Sequence, residues 1–211
     1  MPISFDDSKK IFKLDTPSST YAFKVYDENY LIHLYYGAYV PDNDFDGYEK
    51  RRQYASFSAS NAHLTHTGFS ADTYPMEIGC NGCGDMRISA LQIRNADGNA
   101  STDVRYVSHK IYSGKPVLPG LPALYANDDG ECTTLEVVTL DKVTGAEVTL
   151  IYTVFASAAA EVRPRRSRTR LWRFCRITAV RISATPTASI SCTRAITSVK
   201  RRSISIIARV L

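Results

Sequence analysis

An all-β fold is predicted for the first 155 residues of this 211-residue chain. Tyr, Phe, Val, Ile and Thr dominate its short apolar runs, which is the composition of pleated, half-buried strands. Turn formers (Gly, Pro, Asn, Asp) cluster between those runs. Several runs alternate with a period of two, and no stretch sustains the 3.6-residue period of an amphipathic helix. There is no internal repeat.

Tyr21, Phe23 and Val25 alternate with Ala22, Lys24 and Tyr26, and Asp27-Glu28-Asn29 offers a turn before Tyr30 to Tyr36. This pattern predicts a hairpin. The sequence then becomes acidic at Pro41 to Gly47 and basic at Glu49-Lys50-Arg51-Arg52, as expected of a long exposed loop. Met86 to Ile93 and Thr102 to Tyr112, separated by the Asn95 to Gly98 turn, give two further strands, with Val104 and Tyr106 on one face. Gly114-Lys115-Pro116 and Pro119-Gly120-Leu121-Pro122 form a connection whose missing backbone donors argue against a central strand. The clearest hairpin follows. Thr134 to Leu140 and Ala146 to Phe155 flank Asp141 to Gly145, and Val148, Leu150, Tyr152 and Val154 alternate against Glu147, Thr149, Ile151 and Thr153.

Near Phe155 the chain changes character. Residues 156–211 contain no Gly, Tyr, His, Asn, Gln or Asp, and their only acid is Glu161. Residues 1–155 carry 13 Lys and Arg against 20 Asp and Glu, a net of −7; the remainder carries 13 against 1, a net of +12. The overall charge of +5 therefore describes neither part. Apolar residues in this tail keep no sustained period, so an irregular segment is expected, with short stretches such as Ser203 to Val210 able to pair as strands.

Several function classes find little support. The N-terminus has no apolar stretch after a basic start, so no secretory signal is read and a cytoplasmic location is expected. The longest weakly polar run, Val148 to Ala160, is shorter than the roughly 20 apolar residues that span a bilayer, so no membrane partner is expected. Cys80, Cys83, Cys132, Cys175 and Cys192 form no disulfide framework and read as free thiols. Cys80-Asn81-Gly82-Cys83 has the spacing of half a zinc site, but Cys132, His63 and His66 are distant candidates for its other half, so no metal and no cofactor are expected. His33, inside an aromatic strand, reads as a hydrogen-bonded sheet residue. Asp42, Asp44, Asp46, Asp85, Asp103, Asp128 and Asp129 would furnish a glycosidase-style carboxylate pair on paper, yet most lie in turns, where Asp bonds its own backbone. Arg165-Arg166-Ser167-Arg168 has the charge of a nucleic-acid-binding arm, but the tail mixes Arg with Trp172, Phe174, Ile and Val, so no nucleic-acid partner is expected.

Residues 1–155 resemble the N-terminal β-supersandwich domain of the family 36 glycoside hydrolases, the α-galactosidases. The resemblance is carried by Thr102-Asp103-Val104-Arg105-Tyr106-Val107-Ser108-His109-Lys110-Ile111-Tyr112-Ser113-Gly114-Lys115-Pro116, then Leu118 to Ala123, Thr134 to Val138, and Val148-Thr149-Leu150-Ile151-Tyr152. Gly82, Gly84, Asp85 and Arg87 fit the family's Gly-rich turn, which places Cys80 and Cys83 in a turn without metal. The resemblance implies a galactose-mutarotase-like sandwich, here incomplete. It also implies hydrolysis of terminal α-galactosides such as melibiose and raffinose with retention, by two aspartates on a barrel. Neither aspartate is in this chain, so no catalytic residue is assigned. Family members are commonly homotetramers in which an N-terminal-domain loop reaches the neighbouring subunit's sugar pocket. That loop aligns with Tyr48 to Ser58, making Arg52, Gln53 and Tyr54 the candidate substrate-contacting residues, although members often show Asp followed by Arg or Tyr there.

The tail departs from the family's continuation. Codons permitted for Arg181 to Ala195, read one base earlier, can spell Asp-Phe-Arg-Asp-Ser-Asp-Cys-Glu-Tyr-Leu-Met-His-Ala-Gly, which resembles what relatives carry next. A shifted reading frame after about Phe155 is therefore expected, with residues 156–211 an anomalous basic tail. Loss of the later strands would leave bare sheet edges and a half-covered core. Two other readings stand beside this one: a self-contained carbohydrate-binding or assembly module, and a nucleic-acid binder acting through the tail.

Overall fold

A computed structural model describes residues 2–42, 44–49, 71–82, 84–85, 87, 89–94, 98–117, 126, 128–143, 145–155, 176–183, 189–192 and 204–206. Eleven strands and two short 3-10 turns are present among them, with no α-helix. No helix of the described residues is long and apolar enough to cross a membrane. Strands β1 (Ile3–Asp6), β2 (Ile11–Asp15), β3 (Ser19–Tyr26) and β4 (Tyr30–Ala38) form one antiparallel sheet in chain order. Strands β6 (Val104–Ser113), β7 (Cys132–Asp141) and β8 (Glu147–Phe155) form the second, also antiparallel. A short ribbon pairs β5 (Leu91–Arg94) with β10 (Ser189–Cys192).

The two hairpins legible in the sequence are present. β3 and β4 are joined through the 3-10 turn Asp27–Asn29, where Glu28 and Asn29 take positive φ of 56° and 66°. In the β7–β8 turn, Gly145 takes φ +71°, and its N–H donates to the Asp141 carbonyl at 2.8 Å. The Asp141 side chain accepts from the Val143 N–H at 3.1 Å and from the Asp103 N–H at 2.7 Å, so this turn also fixes the start of β6. Strands β1 and β2 were not anticipated. They are four and five residues long, and Lys13 stands among their buried positions, which interrupts the apolar alternation. Its ammonium is held by Asp15 at 3.1 Å and lies over the Tyr39 ring at 5.6 Å. Of the strand expected over Met86 to Ile93, the described residues show β5 from Leu91, while Met86 and Ile88 lie outside the described residues.

The main core lies between the sheets. Ile3, Phe12, Leu14, Phe23, Val25 and Leu31 meet Leu135, Val137, Val148, Leu150, Tyr152 and Val154. Phe5, Phe12, Phe23 and Tyr152 form a run of rings with successive centroids 4.4, 4.8 and 5.2 Å apart, crossing from β1 through β2 and β3 to β8. Each such contact adds about 0.5–1.5 kcal/mol beyond burial of area. The alternation read in β8 correctly selects the residues facing this core, and Thr149, Ile151 and Thr153 on the reverse face are buried as well. A second cluster covers the outer face of the first sheet: Ile11, Ala22, Tyr30, Ile32 and Leu34 against Phe45 and Tyr74.

Within the tail, β9 (Arg176–Ser183) pairs antiparallel along β8, and β11 (Ile204–Ile206) pairs with β9. The β11 strand falls inside the Ser203 to Val210 stretch expected to be able to pair. Bare sheet edges were expected from the loss of the later strands; at β8 the structure differs, because β9 occupies that edge from Glu147 to Thr153. The physical reason is that a ladder is made by backbone N–H and C=O groups, so an open edge accepts a strand irrespective of its apolar period.

Candidate functional site

The described residues on either side of segment 50–70, residues 44–49 and 71–77, are both fixed to the outer face of the first sheet. On the leaving side Phe45 is buried in the second core cluster. Tyr48 packs edge-on against Phe45 at 5.6 Å and against Tyr35 at 6.4 Å. Glu49 accepts from the Lys24 ammonium of β3 at 2.5 Å, and this contact holds its carboxyl below the usual range against the opposing effect of burial. The acidic turn before it is self-organised. The Asp44 N–H donates to Asp42 at 3.1 Å, the Asp46 N–H donates to Asp44 at 3.2 Å, and Lys9 pairs with Asp44 at 2.7 Å.

On the returning side, Tyr74 packs 5.1 Å from Tyr26. The His33 N–H then donates to the Pro75 carbonyl at 2.7 Å and the Glu77 N–H to the Leu31 carbonyl at 2.9 Å, laying the chain along β4. The Arg87 guanidinium grips both oxygens of Asp85, at 2.8 and 2.9 Å, and donates to the Ala71 carbonyl at 2.7 Å. A bidentate fork of this kind fixes orientation as well as distance. The turn carrying it needs glycine. A Cβ on Gly82 would sit 2.3 Å from the Thr102 carbonyl oxygen, and Gly84 takes φ +80°.

Two buried polar knots were not legible in the sequence. The Arg105 guanidinium lies 3.7 Å from the Tyr30 ring centroid, donates to both Asp103 oxygens at 2.6 and 2.8 Å, and reaches the Glu28 carbonyl at 2.7 Å. Glu77 receives the hydroxyls of Tyr21, at 2.6 Å, and Tyr152, at 2.8 Å. Part of the Glu77 residue stays accessible, but its carboxyl is enclosed, and burial raises it above its ordinary value despite the two donors. The sequence signal for it was a lone acid between Met76 and Ile78.

These features belong to a known domain. The description "Glycosyl hydrolase family 36 N-terminal domain" matches residues 29–165. The chain belongs to this family. The α-galactosidase AgaA of Geobacillus stearothermophilus is 35% identical over 155 residues, 74% of this chain and 21% of that protein. The galactosidase domain of AgaSK, the bifunctional α-galactosidase/sucrose kinase of Mediterraneibacter gnavus, superposes with a TM-score of 0.71 at 32% identity, covering 93% of this chain and 25% of that one. A variant of AgaA, solved in complex with raffinose, superposes with a TM-score of 0.64 at 30% identity over 87% of this chain and 22% of that one. The chain thus spans about a fifth to a quarter of the length of these relatives. A match over 93% takes in part of the tail, since residues 1–155 make up less than three quarters of the chain.

Within the family 36 domain, most of the carboxylates singled out in the sequence are engaged in structure. Asp42 and Asp44 close turns, and Asp85 and Asp103 hold arginines, which accounts for four of the seven. His33 sits in β4 with its ring 5.0 Å from Tyr21. Burial pushes the Cys80 thiol up to about 12. Among the described residues no group of three or more His, Cys, Asp or Glu is arranged to hold a metal ion. Arg52, Gln53, Tyr54, His63, His66 and Cys83 lie outside the described residues.

Proposed function

We propose that residues 1–155 are the front sandwich of an α-galactosidase, an enzyme that cleaves terminal α-galactosides of the raffinose type with retention. The observation that carries this reading is the family match across residues 29–165, joined to relatives that are α-galactosidases. In this reading the nucleophile and the general acid/base belong to a barrel outside these residues, and the sandwich contributes the placement of segment 50–70. Arg52, Gln53 and Tyr54 are the sugar-contacting side chains. The Phe45, Glu49, Ala71 and Tyr74 stems hold the two ends of that segment to one sheet face, which is the rigid base a contact segment requires. The working assembly is a homotetramer in the cytoplasm.

The tail is the product of a shifted frame after about Phe155. Its composition supports this: the loss of Gly, Asp, Tyr and His together is restored by reading one base earlier. The purified 211-residue chain is expected to release no nitrophenol from a nitrophenyl α-galactoside. Turnover at an enzyme-like rate, with the two-aspartate barrel absent from the sample, would refute the assignment of chemistry to other residues.

A further inference from the structure

Strand β8 is the central strand of the second sheet, and its two edges are held differently. On one side β7 pairs with it through nine consecutive residue pairs without a break. On the other side β9 arrives after the connection 156–175 and pairs with a break in register between Ile151 and Tyr152. Residues 148–154 of β8 are buried on both faces, so a strand on this edge meets a surface from which water is excluded.

The break in register changes which residues meet. Ile151 is paired with Ala179 and Tyr152 with Ile177, so Thr178 is one extra residue on β9 with no opposite number on β8. A bulge of this kind shifts the alternation of the strand that carries it by one. Ile177, Val180 and Ile182 keep no even spacing in the sequence, yet the bulge brings them opposite Tyr152, Leu150 and Val148, the core positions of that stretch. Arg176, Ala179 and Arg181 fall opposite Thr153, Ile151 and Thr149. β11 repeats the match, with Ile204 opposite Ile182 and Ile206 opposite Val180. Backbone groups admit a strand to an open edge; the residues standing opposite one another then set which strand and which register.

We propose that the β8 edge is a strand-acceptor site, selective for an extended segment that sets apolar residues opposite Val148, Leu150 and Tyr152, and that it takes such a segment from a separate chain when β9 is withdrawn. In the 211-residue chain β9 is the occupant in cis, where the connection to β8 turns a bimolecular association into an intramolecular one. Ladder bonds supply the affinity, and the alternate positions supply the choice of partner. The inference concerns the edge and not the origin of the strand on it. It is therefore separate from the sugar reading and from the reading frame of the tail, and an edge that takes no peptide leaves the family assignment intact.

The probe is a synthetic octapeptide with the β9 sequence, Arg-Ile-Thr-Ala-Val-Arg-Ile-Ser. In the full chain carrying both Ala179→Pro and Val180→Pro, two successive N–H groups are lost, and one of them faces β8 whatever the alternation. Hydrogen exchange across residues 147–155, read by mass spectrometry, should quicken in this variant and slow again when the octapeptide is added. A second octapeptide of the same composition, with Ile and Val moved to the intervening positions, should need a concentration about tenfold higher, the combined effect of three apolar pairs. Exchange that does not quicken in the variant, that the β9 peptide does not slow, or that both peptides slow equally overturns the proposal. If the double variant does not fold, exchange in the unaltered chain decides. The amides joining β8 to β9 should then open together and earlier than those joining β8 to β7, and one common rate for both sets rejects β9 as a separable occupant.

Discussion

Glu77 is an acid enclosed by two tyrosine hydroxyls, and its behaviour with pH follows from that setting. Burial raises its carboxyl above the ordinary value of 4.5, so the folded chain prefers the protonated form. The stability this preference contributes is complete below pH 4.5 and is lost as pH rises through the folded value. Glu77→Gln removes the charge and keeps an oxygen that accepts from Tyr21 and Tyr152. Thermal melts from pH 4 to 8 should therefore show the variant more stable than the parent at neutral pH, with the gap closing towards pH 4; a variant less stable at neutral pH contradicts this account. His109 has the opposite sign. It packs against Phe5 and Phe12 with ring centroids 4.3 and 4.9 Å away, and burial lowers its pKa below 6.5. Its contribution is complete above pH 6.5 and falls away as the pH drops through the folded value. Arg105 gives the largest residue-scale effect. Removing one partner of a buried charge pair costs about 3–5 kcal/mol, so Arg105→Ala should lower the urea midpoint sharply, while Lys10→Ala, which breaks the exposed pair with Asp7, should leave it unchanged.

At the scale of elements, the stems of segment 50–70 double as the cover of the first sheet's outer face. Phe45→Ala empties part of that cover and should cost about 3–5 kcal/mol by urea unfolding, a large loss for a residue in an irregular stretch. An unchanged midpoint would show that the stem is not packed there. The Gly-rich turn offers a paired test. Gly82→Ala drives a methyl into the Thr102 backbone and should destabilise the chain, whereas a Cβ on Gly130 meets nothing within 4 Å, and Gly130→Ala should be close to neutral. What the sequence showed of these elements depended on how local their determinants are. The β3–β4 and β7–β8 hairpins were legible because turn residues and alternation lie within a few positions of each other. β1 and β2 were not, because they are short and a buried Lys13 breaks the pattern. The partners of Glu77, at 56 and 75 residues' separation, leave no mark on local sequence. The strand β9 was hidden for a further reason: its backbone pairing is independent of the apolar period that sequence reading looks for.

For the whole molecule, two features meet at Phe155: a well-formed family 36 sandwich before it and a Gly-free basic tail of net charge +12 after it. β9 closes the β8 edge, so a chain ending at residue 155 exposes a strand buried on both faces. Such a chain is expected to self-associate with rising concentration in sedimentation experiments, where the 211-residue chain does so less. The candidate contact residues Arg52, Gln53 and Tyr54 were reached through the resemblance, while the stems that hold their segment emerged only from the packing of Phe45, Tyr74 and Arg87. The central claim is that a sugar-cleaving enzyme's sandwich is followed here by residues written in the wrong frame. The most direct measurement is the nucleotide sequence through codons 150 to 215 and beyond, translated in all three forward frames. The account predicts that a neighbouring frame continues the sandwich and leads into a barrel carrying two catalytic aspartates. Downstream DNA with no such frame would contradict it and make the basic tail a native part of the protein.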